Sequence, residues 1–131
     1  MNVEIIPLAR KDDARGAFLK ILMRHQIQGA KVFGEIYVAT CRPGETRGGH
    51  YHCEATEWFC VIQGQGELEL MDIVTGERRV IRMDGHAPAT VVVPPRVAHA
   101  LRNAGAEPLW LLAYSDQPYD AERPDTVPAA M

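Results

Sequence analysis

Apolar and polar residues alternate along much of the chain in short runs, and the runs stop at Gly, Pro, Asn or Asp. Alternation with a period of two puts successive side chains on opposite faces of a strand. Val3–Leu8 reads as a first short strand, interrupted near its end by Pro7. Lys31–Cys41 is a clearer one, with Ile36 and Val38 alternating against Glu35 and Tyr37, and Arg42-Pro43-Gly44 ends it as a turn. A strand carrying His50 and His52 follows. In the next, Glu57–Gln63, Glu57, Phe59 and Val61 share one face and Trp58, Cys60 and Ile62 the other. Both faces are largely apolar, as in a strand covered on both sides.

Gly64-Gln65-Gly66 reads as a turn, and Glu67–Leu70 alternates with Leu68 and Leu70 inward. Thr75-Gly76 marks a hairpin, Arg78–Met83 returns, and Asp84-Gly85 turns again. Thr90–Val93 is a β-branched run stopped by Pro94-Pro95. His99, Leu101 and Asn103 then share one strand face, and Leu109–Tyr114 is the last strong strand. The tail from Ser115 reads as irregular, lying over the barrel or a partner subunit.

Asp12–Ile27 supports two readings. Ala14, Ala17, Phe18, Ile21 and Leu22 follow helical spacing, but Gly16 would cost a helix interior about 1 kcal/mol. D-A-R-G also reads as a turn into a strand, with Phe18, Lys20 and Leu22 on one face and Leu19, Ile21 and Met23 on the other. The strand is the preferred reading. The whole pattern predicts an all-β sandwich or barrel.

At 131 residues, with no internal repeat or linker, one domain over 1–131 is expected. Eleven Gly and nine Pro fit the many turns. A net charge of −3 argues against nucleic acid as a partner. No apolar run approaches the roughly 18 residues of a membrane span, and no signal peptide is visible. Cys41, Cys53 and Cys60 follow no C-x-x-C spacing, so reduced thiols and a cytoplasmic location are expected. All three cysteines read as small buried fillers. Trp58 and Trp110 read as core or subunit-interface anchors.

The chemistry concentrates between Gly44 and Gly64. His50 and His52, two apart on a strand, point to one face. With Glu57 and the distant His99 they form a ligand set of borderline softness, suited to a divalent metal. Arg47 precedes them and is the candidate phosphate contact, since guanidinium pairs bidentately with phosphate oxygens. Gly48 and Gly49 read as a tight turn.

The stretch resembles the first cupin motif, G-x5-H-x-H-x4-E-x6-G, filled at Gly44, His50, His52, Glu57 and Gly64. The second, P-x-G-x-x-H-x3-N, is met at Pro94, His99 and Asn103, with Arg96 in place of its glycine. The resemblance implies a cupin-type jelly-roll barrel in which His50, His52, Glu57 and His99 converge near the mouth. D-A-R-G-A-F at Asp13–Phe18, P-G-E-T-R-G-G-H-Y-H at Pro43–His52 and Y-D-A-E-R-P-D-T at Tyr119–Thr126 look like sugar-nucleotide cupins. Among these, the chain most resembles the C-terminal cupin domain of capsular polysaccharide enzymes. More distantly it resembles dTDP-4-keto-6-deoxyglucose 3,5-epimerases and 3,4-ketoisomerases, which share R-G-x-H. E-A-T-E at Glu54–Glu57 has no lysine where that resemblance would place one.

The resemblance implies an enzyme that epimerises or ketoisomerises a nucleotide-linked 4-keto-6-deoxy sugar in surface polysaccharide biosynthesis, with zinc bound. Iron, manganese or nickel would suit the same ligands. Such a reaction needs a base near the working pH and positive charge at the enolate oxygen. His50 is contested, ligand first and base second, because a ring nitrogen on a metal cannot also take a proton. Tyr51, Tyr114 and Tyr37 are the candidate proton donors. The alternatives are a metal-dependent small-molecule dioxygenase and a non-catalytic sugar-binding cupin. A homodimer is expected, because such barrels expose sheet edges that pairing would cover.

Overall fold

The computed structural model describes residues 1–27 and 33–131. Its strands are β1 (Glu4–Pro7), β2 (Arg10–Asp13), β3 (Gly16–Leu19), β4 (Glu35–Cys41), β5 (Thr46–His52) and β6 (Glu57–Gln63). They continue with β7 (Gln65–Asp72), β8 (Arg78–Asp84), β9 (Ala89–Val93), β10 (Val97–Asn103), β11 (Leu109–Ser115) and β12 (Thr126–Pro128). A single 3-10 turn at Arg24–Ile27 is the only helical element among the described residues. Two five-stranded antiparallel sheets face each other, in the orders β1-β9-β6-β11-β4 and β12-β5-β10-β7-β8. Most connections between β4 and β11 cross from one sheet to the other, which is the jelly-roll arrangement expected.

The alternation explains the core. Phe59 and Val61 from β6, Val91 and Val93 from β9, and Leu109 and Leu111 from β11 project from one sheet. They meet Leu68 and Leu70 from β7, Ile81 and Met83 from β8, and Val97 and Leu101 from β10. Each fully buried aliphatic side chain contributes roughly 1.5–3 kcal/mol. Among the buried polar residues, Asn103 sits beside this core and is fully satisfied. Its Nδ2 donates to the carbonyls of Cys41 and Glu107, and its Oδ1 accepts from Gly105 N.

Several expectations change. The strand through Phe18–Met23 stops at Leu19: β2 and β3 form a separate hairpin turning at Asp13–Gly16. The chain then crosses the outer face of the first sheet. There the Ile21 carbonyl accepts from Thr90 Oγ1 and the Gln26 carbonyl from Trp58 Nε1. That cover is why β6 is apolar on both faces. Trp58 is buried in the core, and Trp110, 42% exposed, is not a core residue, which leaves it the subunit-interface reading. The strand expected over Lys31–Cys41 begins at Glu35, and Lys31 and Val32 lie outside the described residues. Gln65 and Gly66 belong to β7 rather than to a turn. The tail is not wholly irregular, since β12 joins the edge of the second sheet against β5. Cys41 and Cys60 are buried as expected, but Cys53 is exposed on the loop after β5.

Candidate metal centre

β5, β6 and β10 bring His50, His52, Glu57 and His99 together, with one ligating atom from each within 4.8 Å of all the others. The register that does this depends on a bulge. His50 lies opposite His99, but Ala100 lies opposite Gly48, so Gly49 is an extra residue in β5. Gly48 and Gly49 have φ of 98° and 79° and sit inside the strand, not in a turn as expected. A side chain at Gly48 would meet the His99 carbonyl oxygen at 2.6 Å, so only glycine permits this approach of β5 to β10.

Two of the histidines are held by backbone carbonyls. His52 Nδ1 lies 2.9 Å from the Asp125 carbonyl and His99 Nδ1 lies 3.1 Å from the Val97 carbonyl. A carbonyl only accepts, so each Nδ1 carries the proton and each Nε2 of the neutral ring is a bare lone pair. Both Nε2 atoms are buried and have no aligned hydrogen-bond partner. Glu57 Oε1 stands 2.6 Å from His52 Nε2 and 3.5 Å from His99 Nε2. Two bare nitrogens and a carboxylate oxygen crowded together call for a shared cation or for protons. A divalent ion of borderline softness fits this donor set, with carbonyls holding the outer ring nitrogens as in known metal sites.

The charges agree with this picture. Burial would raise the Glu57 carboxyl, but contacts from His52, His99 and Tyr37 outweigh it and hold the group well below the usual carboxylate range. Burial would lower His52, and the contact and charge of Glu57 reverse that, so its imidazole is raised. His50 has no such carboxylate contact. Burial first, then the neighbouring His99 and His52, push it down to about 4. Its ring forms no hydrogen bond among the described residues and borders a cavity of about 480 Å3.

The tyrosines separate clearly. Tyr37 lines the cavity, and its hydroxyl donates to Glu57 Oε2 at 2.5 Å. Burial and then the Glu57 charge push its phenol above the ordinary range, so it stays protonated. Tyr114 lies on the opposite, outer face of its sheet, packed against Trp58 and accepting from Gly34 N. Tyr51 alternates with His50 and His52 and pairs with Val127 of β12. Neither Tyr51 nor Tyr114 is brought to the cluster. Alternation along β5 and β11 excludes them, and only the pairing of β4 with β11 brings in Tyr37.

Arg47 sits at the cavity rim, its Nε donating to the Thr40 carbonyl at 2.7 Å. Asp125 is the site residue that sequence reasoning missed. It lies in the Y-D-A-E-R-P-D-T stretch, but nothing in spacing shows that the tail returns to β5. Arg96 takes φ 64° where the motif has glycine, and the turn before His99 is kept.

The family of polysaccharide biosynthesis C-terminal domains matches residues 11–127. Over 114 residues the chain is 32% identical to UDP-2-acetamido-2,6-beta-L-arabino-hexul-4-ose reductase of Pseudomonas aeruginosa, covering 87% of this chain and 29% of that protein. The chain thus spans less than a third of that relative's length. It is 27% identical over 129 residues to the spore coat polysaccharide biosynthesis protein SpsL of Bacillus subtilis, covering 95% of this chain and 85% of that one. A solved dTDP sugar isomerase from Desulfovibrio desulfuricans has the same fold, with a TM-score of 0.86 at 20% identity, covering 98% of this chain and 83% of that chain. With the match running through the histidine strand and the tail, the chain belongs to the polysaccharide biosynthesis C-terminal domain family, and its fold is a jelly roll.

Proposed function

We propose that this domain is a metal-containing enzyme that moves a proton next to the ketone of a nucleotide-linked 4-keto-6-deoxy sugar, by epimerisation or ketoisomerisation, in surface polysaccharide biosynthesis. The observation that carries the metal is the pair of buried, unpartnered Nε2 atoms of His52 and His99 aimed around Glu57. Zinc suits the three-histidine, one-carboxylate donor set. A divalent ion supplies Lewis acidity toward the substrate's ketone oxygen when bound.

The chain's own residues supply the rest. Glu57 stays ionised and is oriented by Tyr37. His52 and His99 present fixed lone pairs. His50 is neutral near neutral pH and faces the cavity, so it serves first to complete the ligand set; held down to about 4, it is only a weak base in second place. Arg47 at the rim takes the pyrophosphate. The names of the relatives, a UDP-linked hexulose reductase and a dTDP sugar isomerase, support a nucleotide-linked sugar as substrate. A homodimer is supported by the exposed apolar outer faces of β4 and β11, where Ile36 is 57%, Val38 51% and Trp110 42% exposed.

Proton exchange tests this reading. In deuterium oxide, the zinc-loaded protein should place deuterium on the carbon beside the ketone of a dTDP- or UDP-linked 4-keto-6-deoxy sugar. Binding without exchange across such sugars would point to a sugar-binding module instead.

A further inference from the structure

The C-terminal segment reaches the site through more contacts than a covering strand requires. β12 pairs with β5 opposite His50, Tyr51 and His52, and Ala129 N donates to the Gly49 carbonyl at 2.9 Å. Just before β12, the Asp125 carboxylate accepts the backbone N–H groups of Cys53, Glu54 and Ala55, at 2.8, 3.0 and 2.9 Å. Those three residues belong to the loop between His52 and Glu57. The main-chain carbonyl of the same Asp125 accepts from His52 Nδ1. One residue therefore holds the ring of one site histidine and the loop that sets its distance from the site carboxylate.

The chemistry at this position is specific. Successive backbone N–H groups turned toward one point form a concave anion site, and a carboxylate with two accepting oxygens fills it. Asparagine would keep one acceptor and turn an amide N–H toward a backbone donor. Alanine would leave all three donors without this partner, including that of buried Ala55.

We propose that Asp125 is a positioning residue for the metal centre: its side chain ties the His52–Glu57 loop to the tail, and its carbonyl fixes His52 with Nε2 bare and aimed at Glu57. The inference rests on the metal-centre reading above. It assigns the tail a part in metal binding and not only in covering the sheet.

Cobalt(II) titration of the full chain tests it, with affinity read by chelator competition and geometry by visible absorption. The variants are Asp125→Ala, Asp125→Asn and, as a remote control, Asp84→Ala, which removes the carboxylate that accepts from His86 N at the β8–β9 turn. Circular dichroism confirms that each is folded, and Asp125→Asn carries the test if Asp125→Ala does not fold. Asp125→Ala should bind cobalt about 10- to 100-fold more weakly, with a changed spectrum. Asp125→Asn should fall between it and the parent, and Asp84→Ala should match the parent. In metal-free protein at alkaline pH, where the raised His52 ring is neutral, its 15N shifts should show a single tautomer protonated at Nδ1, turning to a mixture in the Asp125 variants. Parental affinity and a single tautomer in the folded Asp125 variants would overturn the proposal, as would an equal loss in Asp84→Ala. Absence of cobalt binding by the parent itself would overturn the metal-centre reading and this proposal with it.

Discussion

Arg47 stands directly across the sheet from Leu101, on the face that looks into the barrel. His50, three residues later, is on that same face, opposite His99. In a regular strand, residues three apart point to opposite faces. The extra residue at Gly49 resolves the contradiction, and the rim arginine shares one cavity with His50 and His99 because of it.

The bulge makes a prediction about Gly48. Alanine there would combine a positive φ with a backbone clash against the His99 carbonyl oxygen. Urea unfolding of Gly48→Ala should show a loss of about 1–3 kcal/mol. Gly44→Ala, at φ 79° with open space around it, should lose less than Gly48→Ala. Equal losses at the two positions would mean that the close approach of β5 to β10 contributes nothing.

The metal-free protein should be most stable near pH 6.5. His50 is lowered in the fold from its ordinary 6.5 to about 4, so between those values the unfolded chain binds more protons and stability falls as pH drops. His52 is raised, so its contribution is full below 6.5 and is lost as pH rises through its folded value. Glu57, lowered from 4.5, adds a further loss in acid as pH falls toward its folded value. Urea midpoints measured with a chelator from pH 4.5 to 8.5 check this, and a flat or monotonic profile would contradict it. Saturating zinc should flatten the alkaline limb, because the bound ion replaces the proton on His52.

Arg96 at φ 64° carries backbone strain that glycine would not. Arg96→Gly should be neutral or more stable by up to about 1 kcal/mol, since relief of strain is partly offset by a freer unfolded chain. Arg96→Val, with a β-branched side chain in the left-handed region, should be clearly less stable. The urea midpoints of the three proteins should therefore rank glycine at or above arginine, and arginine above valine.

Local sequence determined a great deal of this protein. Alternation of apolar and polar residues and the Gly and Pro breaks were enough to read an all-β barrel. The spacing of His50, His52, Glu57 and His99 was enough to name the cluster. The first signal is local and reflects which face of a strand meets water; the second is local for His50, His52 and Glu57 and reflects the residue types that bind a cation, with the distant His99 added by its own motif. Tertiary structure decided what depends on pairing between distant segments. The Gly48–Gly49 pair reads as a turn by composition and is a bulge only because β10 runs beside it. Tyr51, between His50 and His52, is turned away by strand alternation alone, whereas only the pairing of β4 with β11 shows that Tyr37 and not Tyr114 reaches the cluster. Asp125 is anonymous in the sequence, because a carboxylate becomes a clamp only where the tail folds back onto the loop between His52 and Glu57. Periodicity reports the face of a strand, but long-range register decides which faces meet.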